Sequence, residues 1–266
     1  MKLVSLNVWG GKAYKPLISY IRKQAKDIDV FCFQEVFHSP VNQFSHGAKT
    51  NLYSDISKIL KNYTGFFAPT FRGYDIEEKV DFELSFGQAT FVKKSLNLLS
   101  EETFFVYGKF DHTPPLKQEE FKHLLDLPRN MHCVKLKIKG KPVLIGNLHG
   151  YWNPDIPASK KDTPERLEQS KKIKKVFDNF KGPKILCGDF NLEPNIKSMK
   201  ILESGMRNLI KDFGVTSTRS KFYRYYDRKE RYADYILVSN NIKVNEFEVI
   251  ENEVSDHLPL ILDFSI

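Results

Sequence analysis

Residues 143–149 read VLIGNLH and residues 184–191 read KILCGDFN. Each is an apolar run of strand length that stops on polar residues. Between them lies a segment, 164–180, with Leu167, Ile173, Phe177 and Phe180 at helical spacing, opened by Pro164 behind a Thr163 cap. The pattern predicts strand, helix, strand, with chemistry placed where the strands end.

The same pattern recurs at the start of the chain. Residues 2–8 and 30–36 are apolar strand-like runs, and between them Leu17, Ile18, Ile21 and Ala25 recur at helical spacing. A second helix is expected near 52–62, with strands at 65–71, 85–93 and 102–107. The segment 109–130 is rich in Pro and charge and reads as a loop beside the active face. Strands 133–138 and 143–148 are joined by Lys139-Gly140-Lys141-Pro142, a hairpin signal. A short helix near 196–203 and strands near 233–238, 243–250 and 258–264 complete the chain. Strands outnumber helices and the two are interleaved, which predicts an α/β fold: a four-layer α/β/β/α sandwich of two packed mixed sheets flanked by helices, as one domain over 1–266.

Composition narrows the class. Of 266 residues 41% are apolar, enough for a sizeable core, and no repeat or low-complexity stretch divides the chain. A net charge of +8 favours polyanionic partners such as nucleic acid or an acidic membrane surface. No apolar run approaches the roughly 20 residues of a membrane span. The run from Leu3 to Trp9 is short, interrupted by Ser5 and Asn7, and lacks a cleavage site, so the expectation is a cytoplasmic protein with no stable membrane insertion, as a monomer. Cys32, Cys133 and Cys187 each sit in an apolar run and read as small buried hydrophobes.

Polar residues at the ends of apolar runs are costly to bury without a partner or a task. They are Asn7, Glu35, Asn147, His149, Asp189, Asn191, Asp234, Asp256 and His257. All are types that ligate metal, transfer protons or orient other groups, and no serine or cysteine nucleophile constellation competes with them. Carboxylates and carboxamides with His, and no Cys cluster, suit a hard cation, Mg2+ or Mn2+, better than zinc. Such an ion polarises a phosphoryl oxygen while protein groups position and deprotonate water, which implies hydrolysis of a phosphate ester.

In order along the chain, SLNVWGG (5–11), FQEV (33–36), NLHG (147–150), GDFNLEP (188–194), ADYILVS (233–239) and SDHLPL (255–260) resemble the motif set of the endonuclease/exonuclease/phosphatase superfamily. The resemblance implies that Glu35 is the main metal carboxylate, helped by Asn7 and, directly or through water, by Asp256. Asp189 would orient or deprotonate the attacking water, with Asn191 on a phosphate oxygen. His257 would face phosphate, oriented by Asp234, and His149 would lie near the scissile group. Arg129 resembles a family arginine that touches phosphate, and Arg219 offers a second phosphate contact. The duller readings are a helix cap for Asp189 and Asn191, a turn for Asp256-His257, a satisfied core histidine for His149 and a salt bridge for Arg129.

Substrate class is less readable. Where DNA-repair members carry an acidic residue two positions after the first Asn, this chain has Trp9, which looks more like neutral sphingomyelinases. Against that, Arg219, Lys221, Arg224, Arg228, Lys229 and Arg231 interleave with Phe222, Tyr223, Tyr225, Tyr226 and Tyr232, a composition that tracks a phosphate backbone and stacks on bases. The expectation is a nuclease-type phosphodiesterase acting on DNA or RNA. The alternatives are a small-molecule or lipid phosphoesterase and an inactive binding module. The aromatic run Phe104, Phe105, Tyr107 and Phe110 reads as a buried strand rather than a membrane-touching hairpin.

Overall fold

A computed structural model describes residues 1–75, 77–111, 127–152, 162–224 and 231–266. The first half of the chain forms β1 (Lys2–Asn7), α1 (Tyr14–Gln24), β2 (Val30–His38), a small hairpin of β3 (Phe44–Ser45) and β4 (Ala48–Lys49), α2 (Leu52–Ile59), β5 (Tyr63–Arg72), β6 (Ser85–Lys93) and β7 (Asn97–Tyr107). The second half forms β8 (Arg129–Ile138), β9 (Lys141–His149), α3 (Pro164–Asn179), β10 (Lys184–Asp189), α4 (Lys197–Glu203), β11 (Met206–Asn208), α5 (Leu209–Asp212), β12 (Asp234–Ser239), β13 (Lys243–Val249) and β14 (Leu260–Ser265).

Two six-stranded sheets result, one in the order β13-β14-β1-β2-β6-β5 and the other β11-β12-β10-β9-β8-β7. In each sheet one central pair is parallel, β1 with β2 and β9 with β10, and the other pairs are antiparallel. The sheets pack face to face, with helices outside: the expected α/β/β/α sandwich. Strand alternation builds the layers. On β1, Leu3 joins the core cluster that contains the second sheet, while Val4 and Leu6 join the cluster formed with Leu17 and Ile21 of α1 and Leu52 and Ile56 of α2. On β2, Val30 and Cys32 face the second sheet, and Phe31 and Phe33 face the helices.

Several expectations are revised. Asn147 stands between the sheets, donating to Phe33 O, Ala89 O and Thr90 Oγ1 and accepting from Gln34 Nε2 at 2.7 Å, so it stitches the sandwich together. The inward face of α3 is Arg166, Gln169, Ser170, Ile173 and Phe177, with Leu167 and Phe180 half-buried. In its first turns Gln169 Oε1 accepts from Tyr151 N–H, in the chain that leaves β9. The aromatic run 104–107 belongs to an edge strand whose one fully buried residue is Val106; Phe104, Phe105 and Tyr107 are half-buried and Phe110 is exposed. The cysteines are buried and free.

Candidate active site

The parallel pairs β1–β2 and β9–β10 run in from opposite sheets and end along the same rim. Alternation puts Asn7, on the parity of Leu3 and Ser5, toward the second sheet. Glu35 is out of phase: on a regular β2 it would follow Phe31 and Phe33 toward the helices. A bulge between Phe33 and Val36 in the pairing with β6, with Glu35 at φ +56°, turns its carboxylate to the rim instead. On the other sheet, β10 lies in register with β9 so that Asp189 stands opposite His149. Gly188 permits this approach, because it adopts φ +135° and a Cβ there would meet Leu148 O at 2.0 Å.

The Asn7 side-chain amide links the two sheets chemically. Its Nδ2 donates to Glu35 Oε1 at 2.9 Å and to Asp189 Oδ2 at 3.0 Å, and its Oδ1 accepts from Trp9 N–H at 2.9 Å. Asp189 Oδ1 accepts from Asn191 N–H at 2.9 Å, and Asn191, at φ +52°, donates through Nδ2 to Gly150 O. Neither residue caps a helix: α4 begins at Lys197, and its first N–H groups are bound by Asp162. His149 Nε2 lies 3.7 Å from Glu35 Oε1.

His257 precedes β14 and receives two partners. Its Nδ1 is 2.8 Å from Asp234 Oδ2, and Asp234 is itself fixed by Thr218 Oγ1, which accepts from the Ala233 and Asp234 N–H groups. Its Nε2 contacts Arg219 Nη1. A guanidinium only donates, so Nε2 is the acceptor and the imidazole proton sits on Nδ1, donated to Asp234. Arg219 and His257 are cross-strand neighbours in an isolated bridge, and the Arg219 guanidinium lies over the Tyr223 ring at 4.1 Å. Asp256 Oδ1 lies 3.8 Å from His257 Nε2.

Burial dominates the protonation of these groups. It raises the Glu35 carboxyl to about 7, with Asp256 and Asp189 pushing the same way and the Asn7 hydrogen bond opposing. Burial likewise raises Asp189, and raises Asp234 to about 7 against Arg219 and Thr218. It lowers His257 to about 4, helped by the Arg219 charge, and takes His149 well below its usual value, helped by Arg129. Both histidines are neutral at neutral pH. For Arg219 burial works against the charge, but Asp189, Asp256 and Asp234 outweigh it and hold the guanidinium protonated.

These groups line one pocket of about 220 Å³. Its floor carries Glu35, His149, Asp189, Asn191, Asp256 and His257, and Arg129 and Arg219 stand in the wall. Asn7 and Asp234 hold the floor from behind, so of the polar residues that the sequence singled out at the ends of apolar runs the structure brings all but Asn147 to this site. Arg129 and Arg219 are both about nine-tenths buried, and the Nε of each has no hydrogen-bond partner among the described residues.

A family model for the endonuclease/exonuclease/phosphatase family matches residues 4–257. The chain belongs to this family. No curated protein sequence matches it. Solved structures share its fold at low identity. A mannosyl-6-phosphatase of Bacteroides thetaiotaomicron VPI-5482 is 19% identical over 100% of both chains, with a TM-score of 0.67. An endonuclease/exonuclease/phosphatase family protein from Leptotrichia buccalis C-1013-b is 18% identical over 100% of both chains, with a TM-score of 0.70. D. rerio TDP2 complexed with single strand DNA product is 15% identical over 100% of this chain and 99% of that one, with a TM-score of 0.64. Family membership makes the chain a phosphoesterase-type hydrolase. Among the described residues no helix is long and apolar enough to cross a membrane.

The pocket wall also holds residues outside the candidate site set. Asp75 lines it with both oxygens engaged, by Ser45 Oγ and His46 Nδ1 on one side and by the Glu77 and Glu78 N–H groups on the other, tying the β3–β4 hairpin to the β5–β6 connection. Trp9, Trp152 and Tyr223 also line it, each half-buried. The basic-aromatic stretch is only partly described: Tyr225, Tyr226, Arg228 and Lys229 lie outside the described residues. Of the rest, Arg219 belongs to the pocket, Lys221 pairs with Glu253, and Tyr232 donates its hydroxyl proton to Val215 O.

Proposed function

We propose that the chain is a divalent-metal-dependent phosphodiesterase that hydrolyses nucleic-acid phosphodiester bonds with an activated water, as a cytoplasmic monomer. The observation that carries the reading is the convergence, in one pocket, of buried carboxylates, two neutral histidines and two buried guanidinium groups with an unengaged N–H.

The donor set fits a hard cation. Glu35, His149 and Asp189 each offer an atom within 4.8 Å of the others, and burial makes the charge on these carboxylates costly unless a cation answers it. Mg2+ or Mn2+ held by Glu35, with Asn7 and Asp256 beside it, would neutralise charge developing on the phosphoryl group. Asp189, with its Oδ1 fixed by Asn191 N–H, orients the attacking water and accepts its proton. Arg129 and Arg219 grip the non-bridging oxygens, while the neutral His257, fixed at Nδ1 by Asp234, accepts at Nε2 from Arg219 and aims that guanidinium. His149 lies beside Glu35, near the ester oxygen that leaves.

A second reading, a small phosphate ester as substrate, is favoured by the pocket's size, below the roughly 300 to 1,000 Å³ of sites that enclose drug-sized ligands. A mannosyl-6-phosphatase and a TDP2 with a single strand DNA product share this fold, one for each reading. A hydrolysis panel with and without chelator decides: single- and double-stranded DNA, RNA, sphingomyelin, hexose and inositol phosphates, and a chromogenic diester. Metal-dependent cleavage of an oligonucleotide is the expected result. Cleavage of hexose or inositol phosphate alone would replace the first reading with the second.

A further inference from the structure

The pocket lining carries two kinds of chemistry. Arg129, on β8, and Arg219, bridged to His257, stand at either flank of the catalytic floor. Trp9, Phe71, Phe86, Leu127 and Trp152 are aromatic or apolar, and Tyr223 lies beside Arg219. Phe71 and Phe86 are buried and stack on each other at 4.9 Å, so they serve as backing. Trp9, Trp152 and Tyr223 are the half-buried ones, and they come from three separate segments that follow β1, follow β9 and precede β12.

Their placement is fixed by the same bonds that fix the floor. Trp9 N–H donates to Asn7 Oδ1, the amide that joins Glu35 to Asp189, and Gly10 packs where a Cβ would touch Ala48 at 3.0 Å. Trp152 follows Tyr151, whose N–H is held by Gln169 and whose ring meets Tyr107 at 4.7 Å. Tyr223 carries Arg219 on its face. Asp75, the carboxylate beside these aromatic residues, has both oxygens engaged and offers little to a hydroxyl-rich ligand.

We infer that this site accepts an unpaired nucleotide unit, its base against the Trp9–Trp152–Tyr223 rim and its phosphate on the floor, so that the substrate is a single strand or a frayed strand end rather than an intact duplex. The inference rests on the nucleic-acid reading above. A sugar ring needs polar partners for its hydroxyls, whereas a base presents a flat face that aromatic side chains bind without regard to sequence. A volume of about 220 Å³ admits one ring with its phosphate, and a paired base is accessible only by leaving its stack.

The test compares kcat/KM, with Mg2+, for a single-stranded oligonucleotide, the same strand in a blunt duplex, and the same strand carrying one base-less unit stepped past the cleavage position. A chromogenic diester serves as a control for the chemistry. The single strand should exceed the duplex by about tenfold or more, and loss of the base next to the scissile phosphate should raise KM roughly tenfold, the scale of one lost stack. Trp152→Ala should raise KM on the single strand with little change in kcat, and Trp152→Phe should restore it, a recovery that a folding defect would not show. Equal rates on single strand and duplex, or on base-bearing and base-less units, would overturn the inference while metal-dependent cleavage preserved the reading beneath it. Hydrolysis of the chromogenic diester with no cleavage of any oligonucleotide would overturn both the inference and the nucleic-acid reading. A preference for hexose phosphate over all the strands would do the same.

Discussion

Asp189→Asn separates the chemistry of the site from its architecture. The carboxylate is about 2% exposed and accepts on both oxygens, from Asn191 N–H at Oδ1 and from Asn7 Nδ2 at Oδ2. An amide has one oxygen, so whichever way it lies its NH2 meets a donor, and one buried donor loses its acceptor. That costs about 1 to 3 kcal/mol. Against it, the substitution removes a buried negative charge that raises Glu35, which returns part of the loss in metal-free protein. The net change in stability should therefore be modest, on the order of 1 kcal/mol, or about 2 to 4 °C in Tm for a chain of this size. Catalysis has no such offset: an amide accepts no proton, and the loss should be about 100-fold or more in kcat, close to 2.7 kcal/mol of barrier. The assay pairs thermal melts with kcat on the best substrate at saturating Mg2+. A variant that melts near wild type and turns over within threefold of it would refute the assignment of Asp189 to the attacking water.

Glu35→Gln should shift the metal titration of activity to higher concentration with partial recovery at high Mg2+, whereas His257→Ala should stay impaired at any concentration; superimposable titrations for wild type and Glu35→Gln would count against the division. In chelator, the raised Glu35 and Asp234 carboxyls contribute stability that is full below their unfolded values, near 4, and is lost as pH rises through about 7, while the neutral His257 and His149 act the opposite way below about 6.5; the Tm of Glu35→Gln should therefore gain on that of wild type as pH rises from about 4 to about 7, and a difference that does not change with pH would contradict it. Asp75→Ala removes two hydrogen bonds between the β3–β4 hairpin and the β5–β6 connection and two more within that connection, so it should raise KM more than it lowers kcat and cost several degrees of Tm; an unchanged KM would show that the hairpin does not shape the pocket.

The six motifs were legible because the reactive residues lie in or beside apolar strand-like runs, where burial without a task is expensive, and the fold gathers them on one rim. What stayed hidden depends on geometry that period and composition do not carry. Asn147 lies two residues before His149 on β9, and the same parity that aims both at the first sheet leaves one between the sheets and the other at the rim. Glu35 stands on the wrong parity of β2 and reaches the site only through the bulge after Phe33, which the letters VFCFQEVFH do not announce. The β3–β4 hairpin is too short for any period to show, and Asp75, which anchors it, has no strand end to mark it. The buried Arg166 and Gln169 of α3 read as a polar stripe, because the hydrogen bond that takes Gln169 inside, to Tyr151 N–H in the chain leaving β9, has no mark in the helical period. Arg219 is legible as a candidate phosphate contact and as one cation in a basic run, but not as the one that leaves that run. Its separation from its neighbours follows from a single backbone bridge to His257, which places its guanidinium between a catalytic imidazole and the Tyr223 ring while Lys221, two residues on, pairs with Glu253. A run of like charges therefore splits into site and surface according to which residues face the neighbouring strand, and here that strand carries the catalytic histidine.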